Sequence, residues 1–221
     1  MRTMRALTIT VAVVLALPTI SAAQQERPFK DSWFWGIKGG GLAIADSGQA
    51  YRQAPLVGIE WLVTRTHGGI YIAGSQAFFT QQTFILRDAS APADSGVRVV
   101  DLKNMRKLDV AVLGFPGEHQ HFHPYAGIGF TLNQVADAKA RPPFANNAQL
   151  DYAEKLIQDE KVSFSPLLII GAQYQVGSTA IFGQGSLSEL KKDFILYNGR
   201  QLSFAYEAGL RYNFGSSIDR N

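Results

Sequence analysis

The sequence predicts an all-β fold: an eight-stranded antiparallel up-and-down barrel that crosses a membrane with its strands and follows an N-terminal signal peptide. Three observations predict it: a secretory N-terminus, long segments that alternate between two chemically distinct faces, and connections that are alternately short and long. With 46% hydrophobic and 18% charged residues in 221, the chain has enough apolar surface to order itself. Because the sequence contains no cysteine, a disulfide framework and a thiol nucleophile are excluded.

The first 23 residues have the three parts of a secretory signal peptide. Arg2 and Arg5 precede an apolar stretch, Pro18 ends it, and small residues at 21–23 precede the predicted cleavage site. The apolar stretch, 6–17, would rise only ~18 Å as a helix, which is too short for a ~30 Å hydrocarbon core. Removing residues 1–23 lowers the formal net charge from +3 to +1, and no long basic run follows. Nucleic acid is therefore not an expected partner.

The last predicted strand shows the clearest alternation. Residues 202–214 alternate strictly, with aromatic and aliphatic side chains on one face and small or charged ones on the other. Such a period of two is the signature of a strand, and a strand that crosses a bilayer at a tilt needs about 9–11 residues. We predict a short N-terminal segment at 24–32, the barrel at 33–214 and a short C-terminal tail at 215–221.

Seven further segments are predicted to be strands. Five repeat this alternation, and two are extended but rich in small residues, so the pattern does not assign their faces. The alternating segments are 33–44, 56–64, 105–113, 122–133 and 164–176, and the unassigned ones are 70–79 and 180–190. Compact connections follow the even-numbered strands and longer polar ones the odd-numbered strands, as in an outer-membrane barrel with short periplasmic turns and long external loops.

The aromatic face of these strands is predicted to point to lipid, because aromatic girdles flank the apolar band of membrane barrels. Small residues such as Gly127 and Gly129 lie on the other face and suit a narrow interior. A soluble periplasmic barrel of the lipocalin kind, with its apolar face inward, is the alternative. The predicted membrane-interface aromatics are Trp33, Trp35, Trp61, Tyr206, Tyr212 and Phe214.

The inward face is predicted to carry a lumen ion-pair cluster. In a closed barrel the first strand lies between the second and the last, so charges from these three strands meet. Buried charges need partners, which favours a plugged, stabilised lumen, and a narrow ion path is the alternative. The cluster comprises Lys38, Glu60, Lys107, Asp109, Glu207 and Arg211.

Two stretches carry a resemblance to a known family. Residues 124–130, Pro-Tyr-Ala-Gly-Ile-Gly-Phe, resemble the Pro-Tyr-x-Gly-x-Gly-x-Gly segment of the OmpA-like superfamily of OmpA/OmpX-type outer-membrane β-barrels. The last strand, which ends aromatic-x-Phe at Phe214, resembles the signal that the β-barrel assembly machinery recognises. The resemblance implies location in a bacterial outer membrane, with its lipid and that machinery as partners. Residues 215–221 depart from the family, which usually ends at the aromatic residue.

His119, His121 and His123 are the weak candidates for metal binding, since alternate positions on a strand present imidazoles to one face. The flanking Pro116 and Pro124 favour a polar periplasmic turn instead. We therefore predict no metal and no cofactor.

No catalytic residue is predicted. A lipid-A-modifying enzyme is the enzymatic alternative, but the sequence has no Gly-x-Ser-x-Gly motif, and its histidines fall on the predicted periplasmic rim. Residues 39–41 are three glycines that do not form a phosphate loop and are expected to let a bulky neighbour pack inside the barrel or to allow a bend.

The third long loop is the predicted outward binding surface. It contains a segment with helical spacing, 148–160, preceded by Arg-Pro-Pro-Phe at 141–144. Loops on a rigid scaffold are where recognition is usually placed. The sequence thus favours a structural or surface-interaction role, with a ligand outside the cell bound by the long loops, and leaves the oligomeric state open.

Overall fold

The computed structural model describes residues 27–45, 51–85, 98–117, 120–142, 144, 146–191, 194–195 and 202–217. Eight antiparallel strands close into one barrel in sequence order, with the first strand paired to the last, so the predicted fold class is confirmed. The predicted signal peptide lies outside the described residues. The elements are β1 (Ser32–Ala45), β2 (Tyr51–Thr64), β3 (Gly68–Ile85), β4 (Arg98–Gly114), β5 (Phe122–Ala140), α1 (Asn147–Glu160), β6 (Val162–Val176), β7 (Thr179–Glu189) and β8 (Leu202–Ser216).

Several strands are longer than the sequence predicts. At the long-loop end, β3 continues to Ile85, β4 begins at Arg98 and β5 continues to Ala140. Backbone hydrogen bonds do not depend on apolar side chains, so the ladder extends where the alternation has ended. At the other end β8 continues to Ser216, which pairs with Ser32, so the predicted tail begins inside the strand. Among the described helices, none has the length and hydropathy that crossing a membrane requires.

The turns between β2 and β3 and between β6 and β7 are tight. Gly177 and Ser178 alone separate β6 from β7, and Gly177 has φ +58°, a conformation that glycine adopts without a steric penalty. The connection between β4 and β5, 115–121, lies at the same rim, and the connections that follow β1, β3, β5 and β7 leave the opposite rim. We refer to the two rims as the short-turn end and the long-loop end.

The two faces of the barrel wall differ sharply. Ile128 on the outer face is 71% exposed, whereas Arg211 on the inner face is 1% exposed. The outer face carries an apolar belt that includes Trp35, Ile59 and Leu210. This arrangement is the reverse of a soluble lipocalin-like barrel, whose apolar face points inward.

The structure assigns the faces of the two strands that the sequence left open. On β3, Tyr71 and Ser75 point inward, and on β7, Phe182 and Gln184 do so. Small residues occupy both faces of these strands, which is why the alternation was weak.

An irregularity interrupts the pairing of β3 with β4. The register shifts between Ala77 and Thr80, opposite Asn104, whose φ is +56° and whose Oδ1 accepts a hydrogen bond from the Phe79 N–H at 3.3 Å. On the short-turn side of Asn104, odd-numbered β4 residues such as Lys107 face inward, and on the long-loop side even-numbered ones such as Leu102 do. The distortion is a β-bulge, which re-aims side chains in this way.

Candidate functional site: the filled lumen

Four charges from three adjacent strands meet in the middle of the lumen. Lys38 Nζ lies 2.7 Å from Glu207 Oε1, and Arg211 Nε donates to Glu60 Oε1. All four side chains are buried. Glycines make the room, because a Cβ at Gly58 would lie 3.1 Å from Lys38 Cε and one at Gly36 2.9 Å from Glu60 Oε1. The two cations and two carboxylates balance in charge, as buried groups require.

Uncharged side chains link the two ion pairs. Tyr71 Oη accepts from Lys38 Nζ at 3.0 Å and donates to Glu60 Oε2 at 3.1 Å. Gln184 Nε2 donates to Glu207 Oε2 at 2.7 Å and to Tyr71 Oη at 2.8 Å. Tyr71 and Gln184 were not predicted from the sequence, because they lie on β3 and β7, where small residues on both faces weaken the alternation.

Side chains from several strands surround the guanidinium of Arg211 and contact it. Its Nη1 donates to Gln173 Oε1 at 2.6 Å, and its guanidinium carbon lies 3.9 Å from the centre of the Phe182 ring. Tyr125 Oη, which donates to Gln184 Oε1 at 2.9 Å, lies 3.4 Å from Arg211 Nη2. A guanidinium enclosed in this way is fixed in position.

The remaining two predicted lumen charges stand apart from these four. Lys107 Nζ pairs with Asp109 Oδ2 at 2.8 Å, from the next inward position of the same strand, and lies 3.4 Å from Ser186 Oγ. The structure therefore places all six predicted residues in the lumen but divides them into a four-charge network and a separate pair.

An apolar cluster closes the lumen toward the short-turn end. Phe34, Leu62 and Leu113 contribute to it, and Phe29 of the N-terminal segment packs against it. The ring of Phe29 lies 4.8 Å from that of Phe115 and is stacked 3.8 Å from that of His123.

Backbone groups of the N-terminal segment are tied to the strand ends. Asn213 Nδ2 donates to Pro28 O at 3.0 Å, and Gln175 Nε2 donates to Arg27 O at 2.8 Å. Ser32 Oγ donates to the same Pro28 O at 2.6 Å. The segment therefore crosses the barrel mouth as a fixed plug.

A second apolar cluster closes the lumen toward the long-loop end. Ala153 and Ile157 of α1 are buried in it, with Phe194 and Ile195 from the connection after β7. Asn146 caps the helix, since its side chain accepts from the Gln149 N–H at 2.9 Å. The segment predicted as an outward binding surface therefore uses one face to cover the barrel and leaves the other exposed.

The histidines lie in different surroundings. His123 is buried against Phe29, His121 is exposed with its ring 6.0 Å from that of Tyr174, and His119 lies outside the described residues. Across the described part of the chain, no group of three His, Cys, Asp or Glu side chains could hold a metal ion. His67 is exposed in the turn between β2 and β3.

The predicted interface aromatics lie on the outer face, most of them near the short-turn end. The ring of Trp61 lies 5.2 Å from that of Trp33 and 6.1 Å from that of Trp35, and the rings of Tyr212 and Phe214 are 5.0 Å apart.

Tyr206 is the exception, because it lies nearer the long-loop end and covers a glycine. A Cβ at Gly41 would lie 2.5 Å from the Tyr206 ring, whose hydroxyl donates to Gln53 Oε1 at 2.8 Å. At Gly41, therefore, the bulky neighbour packs outside the barrel and not inside it as expected.

A closed antiparallel barrel with an apolar outer face and a filled polar interior defines a membrane β-barrel, in which every strand edge is paired. Two solved structures share this fold. They are Neisserial surface protein A, 10% identical, with a TM-score of 0.52 over 82% of this chain and 97% of that one, and the outer membrane protein OprG from Pseudomonas aeruginosa, 11% identical, with a TM-score of 0.50 over 85% and 98%. No protein-family model and no curated protein matches the sequence. At such identities the likeness concerns the fold, which is that of the small outer-membrane barrels.

Proposed function

We propose that the protein is a bacterial outer-membrane barrel, exported with removal of residues 1–23, that has a structural or surface-interaction role. The observation that carries the proposal is a lumen occupied by a charge network between two apolar clusters, beneath a helix whose other face is exposed. The aromatic end of β8 serves the assembly machinery as its recognition signal, and the lipid bilayer surrounds the apolar belt.

The occupied lumen favours a closed barrel and argues against a pore. An ion path needs a continuous wet passage lined by groups that bind ions weakly enough to release them. Here the four central charges bind one another, and apolar clusters lie on both sides of them. In planar bilayers we expect the protein to show no steady conductance, and a conductance that changes in Lys38→Met would support the pore instead.

The exposed face of α1 supports surface interaction. Tyr152 is 43% exposed, and Asp151, Glu154 and Lys155 lie exposed beside it. An aromatic side chain among charged ones on a rigid support is a common composition for a protein-binding surface. A ligand outside the cell would meet this face first.

Single-cysteine labelling tests the location and the orientation together, because the natural chain has no cysteine. Tyr152→Cys places a thiol on α1, and Thr66→Cys places its matched control in the exposed turn between β2 and β3. On intact bacteria, a membrane-impermeant maleimide should label Tyr152→Cys and should label Thr66→Cys only after permeabilisation. The natural chain should stay unlabelled.

Detergent-refolded protein covering 24–221 completes the test. A closed barrel resists detergent until it is heated, so unboiled and boiled samples should migrate differently on a gel. Labelling of Thr66→Cys alone on intact cells would indicate the opposite orientation, with the short-turn end outside the cell. A protein that folds in water without detergent, with no shift on boiling, would contradict the membrane location and favour a soluble periplasmic binder.

A further inference from the structure

The apolar belt is interrupted on β3, β4 and β5. Gln76 pairs in register with Arg106, and Arg106 pairs with Gln134, so three polar residues lie side by side across adjacent strands. Arg106 is exposed on the outer face, directly beyond the apolar Leu108. A cation at such a position requires a physical explanation, since lipid-facing charges are destabilising near the bilayer midplane.

The depth of Arg106 places it near one lipid headgroup layer. Gly114 marks the short-turn end of β4, about eight residues away. That span is ~26 Å along a strand and ~20 Å across a bilayer at a tilt of ~40°. The apolar band of outer-membrane barrels is ~25 Å tall, so the guanidinium reaches the headgroups on the long-loop side.

Arg106 has no carboxylate partner among the described residues. The neighbouring carboxylates of β4 are already paired, Asp109 with Lys107 inside the lumen and Asp101 with Arg141 beyond the belt. The five N–H donors of Arg106 are therefore available to an external acceptor. An arginine fork fits a phosphate in two-pronged geometry, and amide side chains such as those of Gln76 and Gln134 can donate to it as well.

A groove leads from Arg106 into the apolar belt. Its volume is about 450 Å³, and Val57 and Ile59 line one side and Leu108 and Leu132 the other. Gly74 forms its floor, because a Cβ built there would meet no atom within 4 Å. The shape and the apolar walls suit one hydrocarbon chain, which would leave its phosphate at the guanidinium.

We propose that this groove binds a phosphorylated lipid of the outer leaflet, with the phosphate on Arg106 and one acyl chain over Gly74. The proposal rests on the membrane location proposed above. It assigns the outer wall of the barrel a defined lipid site that is distinct from the lumen and from α1.

Native mass spectrometry of the refolded barrel in nonionic detergent tests the proposal. The probes are a synthetic lipid A with its phosphates, the same lipid without them, and inorganic phosphate. Arg106→Gln should bind the phosphorylated lipid about tenfold more weakly, because the hydrogen bonds from a charged group to the phosphate are lost. Arg65→Gln, the same change at an exposed position of the short-turn end, should bind like the natural protein.

The groove is tested separately by Gly74→Val, which fills the floor without removing charge. It should weaken binding of the phosphorylated lipid severalfold and leave any binding of inorganic phosphate unchanged. Equal binding of the lipid without phosphate, natural affinity in Arg106→Gln, or equal weakening in Arg65→Gln would overturn the proposal. Displacement of the lipid by inorganic phosphate at the concentration of the lipid itself would overturn the lipid as the occupant.

Each sample is also run boiled and unboiled. A natural protein that lacks the heat shift would contradict the membrane barrel, whereas a shifted protein with no phosphate dependence would contradict the lipid site alone.

Discussion

The two ends of the barrel are closed by different physical means. At the short-turn end, residues 27–31 are held by side chains of the neighbouring strands that donate to their carbonyls, and Phe29 fills the centre. At the long-loop end, α1 and the connection after β7 cover the mouth by apolar burial. The first closure depends on directional hydrogen bonds to the backbone of a short segment, whereas the second depends on apolar contacts that have no preferred direction. We therefore expect the cover at the long-loop end to change without disturbing the barrel wall.

Between these closures lies the four-charge network, and breaking it should have the largest effect on the molecule. Arg211→Met leaves Glu60 buried without its cation, which costs about 3–5 kcal/mol of unfolding free energy. Urea unfolding of the detergent-refolded protein measures the loss.

The double variant Arg211→Met/Glu60→Met is the control, and it should recover most of that stability because both charges are removed. A loss below about 1 kcal/mol in Arg211→Met would mean that the network does not hold the lumen.

The closure at the long-loop end is tested by Ile157→Ala. The truncation removes buried methyl groups beneath α1 and should cost about 3 kcal/mol. Hydrogen exchange should therefore quicken in α1 and leave the amides of β1 and β8 protected. Tyr152→Ala on the exposed face is the matched control and should change little. Faster exchange across the whole barrel would show that the cover and the wall are one cooperative unit.

The closure at the short-turn end is tested by Phe29→Ala. We expect a smaller loss, about 2 kcal/mol, because the ring is half-buried and the hydrogen bonds to Arg27 and Pro28 remain. Trypsin should then reach Lys30 more readily, while the heat-dependent gel shift is unchanged. Loss of the gel shift would indicate that this segment supports the barrel wall as well as filling its mouth.

The smallest effect is expected beyond the belt at the long-loop end, where Arg141 Nε donates to Asp101 Oδ2 at 2.7 Å. This hydrogen bond lowers the pKa of Asp101 below its ordinary value. The pair therefore stabilises the fold above the ordinary carboxyl pKa, and the contribution is lost as the pH falls through the lowered value. NMR titration should show the Asp101 pKa rising toward the ordinary value in Arg141→Gln, and an unchanged pKa would contradict the pairing.

The sequence predicts best those strands in which apolar and polar residues alternate regularly. Lys38, Glu207 and Arg211 lie on strands that alternate strictly, so their inward direction followed from their position. Tyr71 and Gln184 complete the network from strands with small residues on both faces, where the pattern carries little information. The predicted fourth strand began at 105 because Asn104, directly before it, breaks the alternation.

The sequence predicts the segments that close the two ends of the barrel less well than it predicts the strands of the barrel wall. The helix at 148–160 was visible from its spacing, but which face covers the barrel depends on contacts with Phe194 and Ile195, distant in sequence. Phe29 belongs to a short segment without any period, so only the tertiary structure shows that it fills the short-turn end. The functional roles of these parts remain predictions.

The bulge at Asn104 exchanges the inward and outward faces of β4 partway along the strand. Before it, even-numbered residues face the interior, and after it odd-numbered ones do. If Asn104 adopted an ordinary extended conformation instead, the alternation would continue through it, so that Leu102 would turn toward the surroundings and the carboxylate of Asp101 toward the apolar cluster. One asparagine thus decides, for every residue of β4 on its long-loop side, which of two opposite environments that residue must suit.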